Sequence, residues 1–259
     1  MKRYIILALL ALMTINVVLA SEIIPKADSA YTKGDYNTAL SLYSKAVTTA
    51  GSSAELYYNL GNAYYRNGNI PQAIIYYERA LRIDPSFSRA RENLDFVNDR
   101  IIDKSGEYGS FFSRTATSVA LSRTSDSWAY WALGLFIVFI AALVLYFFAD
   151  RIIIRKIGFF GGIILILCSV FCIIEALYAR SLALRTDEAI ITAKSVILST
   201  SPRAPLSRNE EAMLLHEGTK LYIQDSIKVK NDTTSTIWYD VMVDNDHRAW
   251  IDAASIEKI

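Results

Sequence analysis

Residues able to do chemistry are few and scattered in this chain of 259 residues. His216 and His247 are the only imidazoles, and no serine and aspartate accompany either at a spacing that would build a nucleophilic set. His216 reads as a polar residue beside a turn, because a lone histidine lacks the companions that a metal site needs. Cys168 and Cys172 stand at i, i+4 within an apolar run. On one helix they lie side by side but too far apart to bridge, so packing is their first reading and a thiol function the alternative. Glu175 is the one ionisable group in the same run, and its place near the end of the run lets it reach a polar boundary. No Gly-rich phosphate loop and no metal-ligand spacing occur. The expectation is a protein that is not an enzyme, with no catalytic residues, no metal and no cofactor. A net charge of +1 without a concentrated basic surface also argues against a nucleic-acid partner.

Apolar mass is the larger signal. A hydrophobic content of 53% and a mean hydropathy of +0.24 exceed what one soluble core of this size needs. Trp128 to Phe148 carries no charge in 21 residues and would reach about 31 Å as a helix, the thickness of a bilayer core. Ile157 to Leu177 is a second such run, broken only by Glu175. With residues 149–156 between them, the two runs predict a two-helix transmembrane hairpin that returns the chain to its starting side. Arg151, Arg155 and Lys156 against Asp150 put that short loop in the cytoplasm, although Arg180 and Arg185 beyond the second run dilute the contrast. Residues 1–20 decide the direction. Lys2 and Arg3, an apolar stretch and Val18-Leu19-Ala20 before Ser21 have the form of a secretory signal peptide. Whether it is cleaved or kept as an anchor, the following residues emerge outside. Gly158 and Gly162 form a G-x-x-x-G that permits close helix packing, either within the hairpin or between chains in a homo-oligomer. Residues 105–127, rich in Ser, Thr and Gly, read as a linker or as a juxtamembrane helix with Phe111 and Phe112 in the interface and Arg114 and Arg123 near headgroups.

Residues 21–104 carry a repeat of 34 residues. Tyr57, Leu60, Gly61, Tyr64, Gly68, Ala73, Tyr77, Ala80 and Pro85 mark the better copy, and Gly34, Ala39, Tyr43 and Ala46 mark an earlier one, with Ala27 at the place of Gly61. Gly61 and Ala73 let paired helices cross closely, Gly68 allows the turn and Pro85 stops the second helix. Residues 91–100 follow as a solvating cap helix. The pattern resembles the tetratricopeptide repeat, an all-α solenoid, with Tyr57 in place of its Trp. Two repeats and a cap are near the lower limit for stability, so help from the membrane or a partner is expected. The resemblance implies a binding module whose groove is lined by Asp28 and Tyr31, then Tyr58, Asn62, Tyr65 and Arg66, then Asn93 and Phe96. Asn62 with Asn93 resembles part of a carboxylate clamp whose lysines are missing here, Tyr58 standing where one would be. A peptide C-terminus, another protein segment and a solvated surface are the three alternatives, and the aromatic and Arg content favours an interface.

Residues 186–259 change to short β-branched and aromatic runs: Ala189 to Leu198, Lys220 to Ile223, Trp238 to Val243 and Arg248 to Ile251. Turn clusters separate them at Ser201 to Pro205, Lys230 to Ser235 and Asp244 to Asp246. Leu215, Gly218, Thr219, Trp238, Trp250 and Ile251 resemble the pattern of the bacterial SH3-like domain, a small all-β barrel. Ala249 and the Asp244-Asn245-Asp246 turn depart from that pattern.

The order of these parts, a multidomain membrane protein, resembles the BatE family, the tetratricopeptide components of the Bat aerotolerance operons of Bacteroidetes. That resemblance implies a multi-pass inner-membrane protein with N- and C-terminal domains in the periplasm. Its implied partners are other Bat proteins, which carry von Willebrand A domains or are MoxR-type ATPases. The expected role is a membrane-anchored scaffold for protein partners. The alternative is a cell-wall tether that binds peptidoglycan through the SH3-like domain.

Overall fold

The computed structural model describes residues 22–104, 106, 108–230 and 235–259. The expected signal peptide and the tip of the turn at 231–234 lie outside them. The chain forms two compact units, one made of the helical repeats through Ile83 with Phe87–Gly109 and Thr186–Ile259, the other of Asp84–Ser86 and Ser110–Arg185.

In the first unit five helices run in sequence: α1 (residues 22–32), α2 (Tyr36–Ala50), α3 (Ala54–Arg66), α4 (Ile70–Ile83) and α5 (Ser88–Asn98). Their starts are written locally. Asp35 accepts from Thr38 N, Ser53 from Leu56 N and Asn69 from Gln72 N, each a side-chain cap for an orphan amide. The small residues of the repeat sit where helices cross, with Ala27, Ala39, Ala46, Ala73 and Ala80 fully buried. A Cβ on Gly61 would lie 2.6 Å from the Tyr77 ring, so only glycine permits this crossing of α3 and α4. Gly34 and Gly68 turn at φ 80°, the left-handed region that favours glycine.

Seven antiparallel strands follow: β1 (Glu188–Ile191), β2 (Ser195–Ser199), β3 (Glu211–His216), β4 (Lys220–Lys230), β5 (Ser235–Met242), β6 (Arg248–Asp252) and β7 (Ile256–Lys258). Their order is β3-β2-β6-β5-β4-β1-β7, and no pairing among the described residues joins β3 to β7 to close a barrel. The run expected as one strand over 189–198 splits in two. Thr192 and Ala193 donate to the carbonyl of Ser255, ending β1, and the chain re-enters the sheet as β2 beside β3. Consecutive Ile190 and Ile191 are both fully buried because β1 has apolar neighbours on each face: Ile191 joins the sheet core with Leu198, Leu221 and Val241, while Ile190 joins Ile74, Val97 and Ile101 of the helices.

Repeats and sheet therefore share a core. α5 is not the solvating cap expected from sequence. Its Leu94 and Val97 are buried in the cluster that also holds Ile190 and Ile259, and the sheet supplies the neighbour that a third repeat would have given. Polar contacts frame this seam. Lys220 Nζ lies 2.9 Å from Glu78 and 3.1 Å from Glu188, Arg82 lies 3.1 Å from Glu188, and Arg79 lies 2.9 Å from Glu257. Asp103, Tyr108 and Gly109, expected at the end of the repeats and the start of a linker, make contacts with the sheet instead. Asp103 accepts from the amide of His216 and from Thr219 Oγ1, Tyr108 stacks on Tyr222 at 4.1 Å, and Gly109 N donates to Asn245 at 2.8 Å.

The second unit holds α6 (Phe111–Ala120), α7 (Ser125–Phe148) and α8 (Ile152–Ala183). Residues 111–120, expected within a linker or as a juxtamembrane helix, are helical and start on Ser110, whose Oγ accepts from Ser113 N. α6 packs on α8 through Ala120, Ala179 and Leu182, with Thr117 and Tyr178 hydroxyls 3.0 Å apart. α7 and α8 are both long and apolar enough to cross a membrane. They extend past the expected bounds. The connection is residues 149–151, so Arg155 and Lys156, expected in a loop over 149–156, lie in the first turns of α8. Glu175 is likewise not near a helix end: α8 continues to Ala183, and the Glu175 side chain is only 8% exposed, with no hydrogen-bond partner for Oε2 among the described residues. Gly158 and Gly162 serve the hairpin itself. A Cβ on Gly158 would lie 2.8 Å from the carbonyl oxygen of Ala142 and 2.9 Å from Tyr146 N, whereas a Cβ on Gly162 would meet Phe139 and Ala142 at ordinary contact distance.

Candidate functional site

Helices α1, α3 and α5 present successive faces to a cavity of about 180 Å³ in the first unit. It is lined by Tyr31, Asn62, Tyr65, Arg66, Tyr77, Asn93, Phe96 and Val97. Of the eight residues that the sequence placed in a groove, Tyr31, Asn62, Tyr65, Arg66, Asn93 and Phe96 come together here. Asp28 and Tyr58 do not line it. Asp28 accepts from Tyr43 Oη at 2.6 Å, tying α1 to α2. Tyr58 packs against Phe87 and Tyr77, with the Arg89 guanidinium 5.1 Å from its ring.

Asn62 organises the floor. Its Oδ1 accepts from Tyr77 Oη and from Asn93 Nδ2, both at 2.8 Å, so one acceptor fixes three side chains from α3, α4 and α5. The Asn62 amide nitrogen is then left with two donors that no described residue takes up, and those donors can meet an incoming carbonyl or carboxylate. Burial pushes the Tyr77 phenol up, and the same cause raises Tyr31, so both are neutral hydroxyls across the physiological range. At the rim Arg66 Nε donates to Tyr36 Oη at 3.0 Å, and that bond raises the guanidinium still further. Arg100 lies 3.6 Å from the Phe96 ring and donates to Tyr65 Oη, holding the two aromatic side chains edge to face with centroids 5.8 Å apart. Among the described residues no Asp or Glu lines the cavity, which leaves it rich in donors and aromatic surface.

Sequence reasoning missed Tyr77 as a lining residue. The repeat pattern carries Phe at that position and treats it as packing, and the hydroxyl on this residue was the available signal. Val97 was missed because its pairing with the sheet is not a local property. Elsewhere, His216 Nδ1 lies 3.2 Å from Asp103 and His247 Nδ1 lies 2.7 Å from Asp244, so each imidazole is held at a turn or strap. Among the described residues no group of His, Cys, Asp and Glu is gathered that could hold a metal ion.

Paired helices that repeat along the chain and line a cavity with aromatic rings and donors have the form of a binding module. Residues 54–87 match the family described as Tetratricopeptide repeat, and residues 27–68 match that described as TPR repeat. The chain thus carries tetratricopeptide repeats, which imply a role in protein–protein interaction. The Protein SGT1 homolog of Oryza sativa subsp. japonica is 32% identical over 71 residues, a match that covers 27% of this chain and 19% of that protein. The likeness is confined to less than a fifth of that relative.

Proposed function

We propose that this chain is a membrane-anchored adaptor that holds an extended segment of a protein partner in the groove between α1, α3 and α5. The observation that carries this reading is the floor built by Asn62: its amide donors, which no described residue takes up, the Arg66 guanidinium and the Tyr hydroxyls line a cavity with no acid among its described residues. An extended peptide presents carbonyl oxygens to such donors and side chains to Tyr31, Tyr65 and Phe96, which matches the aromatic and Arg enrichment of protein interfaces. A terminal carboxylate would satisfy the same donors, but the lysines that would complete a clamp are missing.

Anchoring rests on α7 and α8. The common core of the repeats and the sheet adds support for the hairpin topology, because the segments before and after the two apolar helices pack on each other and so share one side of any bilayer that α7 and α8 cross. Arg151 in the connection, Arg155 and Lys156 in the first turns of α8, and the expected signal peptide favour the periplasm of a bacterial inner membrane. The order of parts favours a Bat-type stress assembly, with the C-terminal sheet as its SH3-like element. In that setting the partners would be proteins with von Willebrand A domains and a MoxR-type ATPase.

Crosslinking and pull-down from membranes tests the groove. The full chain should recover a defined partner, and Tyr65→Ala with Arg66→Ala should reduce that recovery by about ten-fold or more, as expected when an aromatic and Arg anchor pair is lost. Undiminished recovery by this variant would sink groove binding. Retention of wild type and variant alike on murein would favour the cell-wall tether instead.

A further inference from the structure

A second cavity, of about 270 Å³, opens in the second unit where α7 hands over to α8, and Tyr146, Ile152, Arg155, Lys156, Phe159 and Phe160 line it. Its walls differ in kind. Arg155 and Lys156 give one side two cations, while the rings of Tyr146, Phe159 and Phe160 give an apolar side, with Tyr146 and Phe159 centroids 5.6 Å apart and Phe159 and Phe160 centroids 5.2 Å apart. Arg155 is oriented. Its Nε donates to the carbonyl of Tyr146 at 3.2 Å, and its guanidinium carbon lies 5.8 Å from the Tyr146 ring centroid. That bond satisfies a carbonyl in the last turn of α7, where no further helical amide arrives. Both Nη groups remain outside it.

Charge at this end is unbalanced. Arg151, Arg155 and Lys156 face a single acid, Asp150, and among the described residues no carboxylate forms an ion pair with Arg155 or Lys156. Beside these cations Phe160 is 62% exposed and Ile152 69% exposed. Unneutralised cations next to bare apolar surface, at the end of two helices of membrane length, complement a molecule that is anionic at one end and hydrocarbon at the other. Inorganic phosphate would use the cations and leave the rings uncovered. A zwitterionic lipid would use the rings and bring its own cation against Arg155 and Lys156. We propose that this cavity binds the phosphate headgroup of an anionic phospholipid, its acyl chain lying along Phe159 and Phe160. The site rests on the reading that α7 and α8 span a bilayer.

The test is lipid retention by the full chain, purified in mild detergent and followed by native mass spectrometry with phosphatidylglycerol and phosphatidylcholine of identical acyl chains. Wild type should retain phosphatidylglycerol preferentially, and millimolar inorganic phosphate should not displace it. Arg155→Gln with Lys156→Gln should reduce the preference roughly thirty-fold, the effect of two basic groups near an anionic headgroup. Lys156→Gln alone keeps the Arg155–Tyr146 bond, and with it the end of α7, and should still reduce the preference roughly five-fold. Phe160→Ala should weaken retention of both lipids and keep the headgroup preference. Equal retention of the two lipids by wild type, an unchanged preference in the Lys156 variant, or displacement by inorganic phosphate would each overturn the site. Alkaline extraction separates the two failures: a chain that resists extraction yet shows no lipid preference loses only this site, and a chain released by it loses the anchoring reading and the site together.

Discussion

Asn62 holds the groove together because one carbonyl oxygen takes both the Tyr77 hydroxyl and the Asn93 amide. Tyr77→Phe removes one of those donors without changing the ring that packs against Gly61. Stability measured by denaturant unfolding should fall by about 1 kcal/mol, the net worth of one such hydrogen bond, and partner recovery should fall with it as Asn62 loses its orientation. Gly61→Ala acts from the other side of the same ring. Its Cβ would come within 2.6 Å of a Tyr77 side chain that is 1% exposed and has nowhere to retreat, so about 1–3 kcal/mol should be lost in the same measurement. An unchanged midpoint for the Gly61 variant would mean that the crossing of α3 and α4 is looser than the structure shows. Much at this scale was legible in advance. The spacing of Gly61, Ala73 and Tyr77 gives the helix crossing, and counting around the helices finds six of the lining residues. The hydrogen bond to Asn62 was not legible, because a repeat pattern records where a ring packs and is silent on what a hydroxyl at its edge can reach. Asp28 shows the opposite failure: its helical position faces the groove, but Tyr43 captures it.

At the scale of elements the informative strand is β1, whose contacts reach both the sheet and α4. Lys220 on β4 stands between Glu78 of α4 and Glu188 of β1. Burial alone would lower the Lys220 ammonium, but the two carboxylates outweigh it and raise the group above the ordinary lysine range. Burial likewise pushes Glu188 up, but Lys220 and then Arg82 bring it below the usual carboxylate range. A carboxyl whose folded value is lower than its unfolded value of about 4.3 contributes stability that is complete above that pH and is lost as pH falls through the folded value. Acid titration should therefore loosen the α4–β1 contact, seen as faster amide exchange in β1, and Glu188→Gln should flatten that dependence. Lys220→Met is the harsher change, since it leaves Glu78 and Glu188 facing each other about 80% buried. It should cost on the order of 3 kcal/mol, and a variant as stable as the parent would remove the ion cluster from the account of the seam. Sequence patterning could not show this seam. β1 and β2 read as one run enriched in β-branched residues, and what divides them is a carbonyl, Ser255, that arrives from more than sixty residues away.

For the whole molecule, the chain leaves its first unit after Gly109, makes the α7–α8 hairpin and returns at Thr186 to complete the core it left. The sequence showed the repeats as marginal and in need of help, but the help was expected from a membrane or a partner. It comes from the same chain. Ile74, Val97 and Ile101 are at most 9% exposed, and they are covered in part by Ile190, Ile259 and the turn at Gly218, where a Cβ would fall 2.7 Å from Ile101. Each such side chain is worth about 1.5–3 kcal/mol when fully buried, so loss of the sheet exposes more apolar surface than two repeats and one cap helix can offset. Residues 22–109 expressed alone should accordingly unfold at a lower denaturant midpoint than the same residues in the full chain. Addition of residues 186–259 as a separate polypeptide should raise that midpoint with the logarithm of the concentration added once it exceeds the dissociation constant, since a fragment that binds only the folded repeats stabilises them by mass action. The control is Gly218→Val in the added fragment, which puts a branched side chain where Ile101 and Ile74 already sit and should abolish the rescue. If residues 22–109 match the stability of the intact protein, the sheet is a passenger on the repeats, and the two segments that flank the hairpin need not share one side of a membrane.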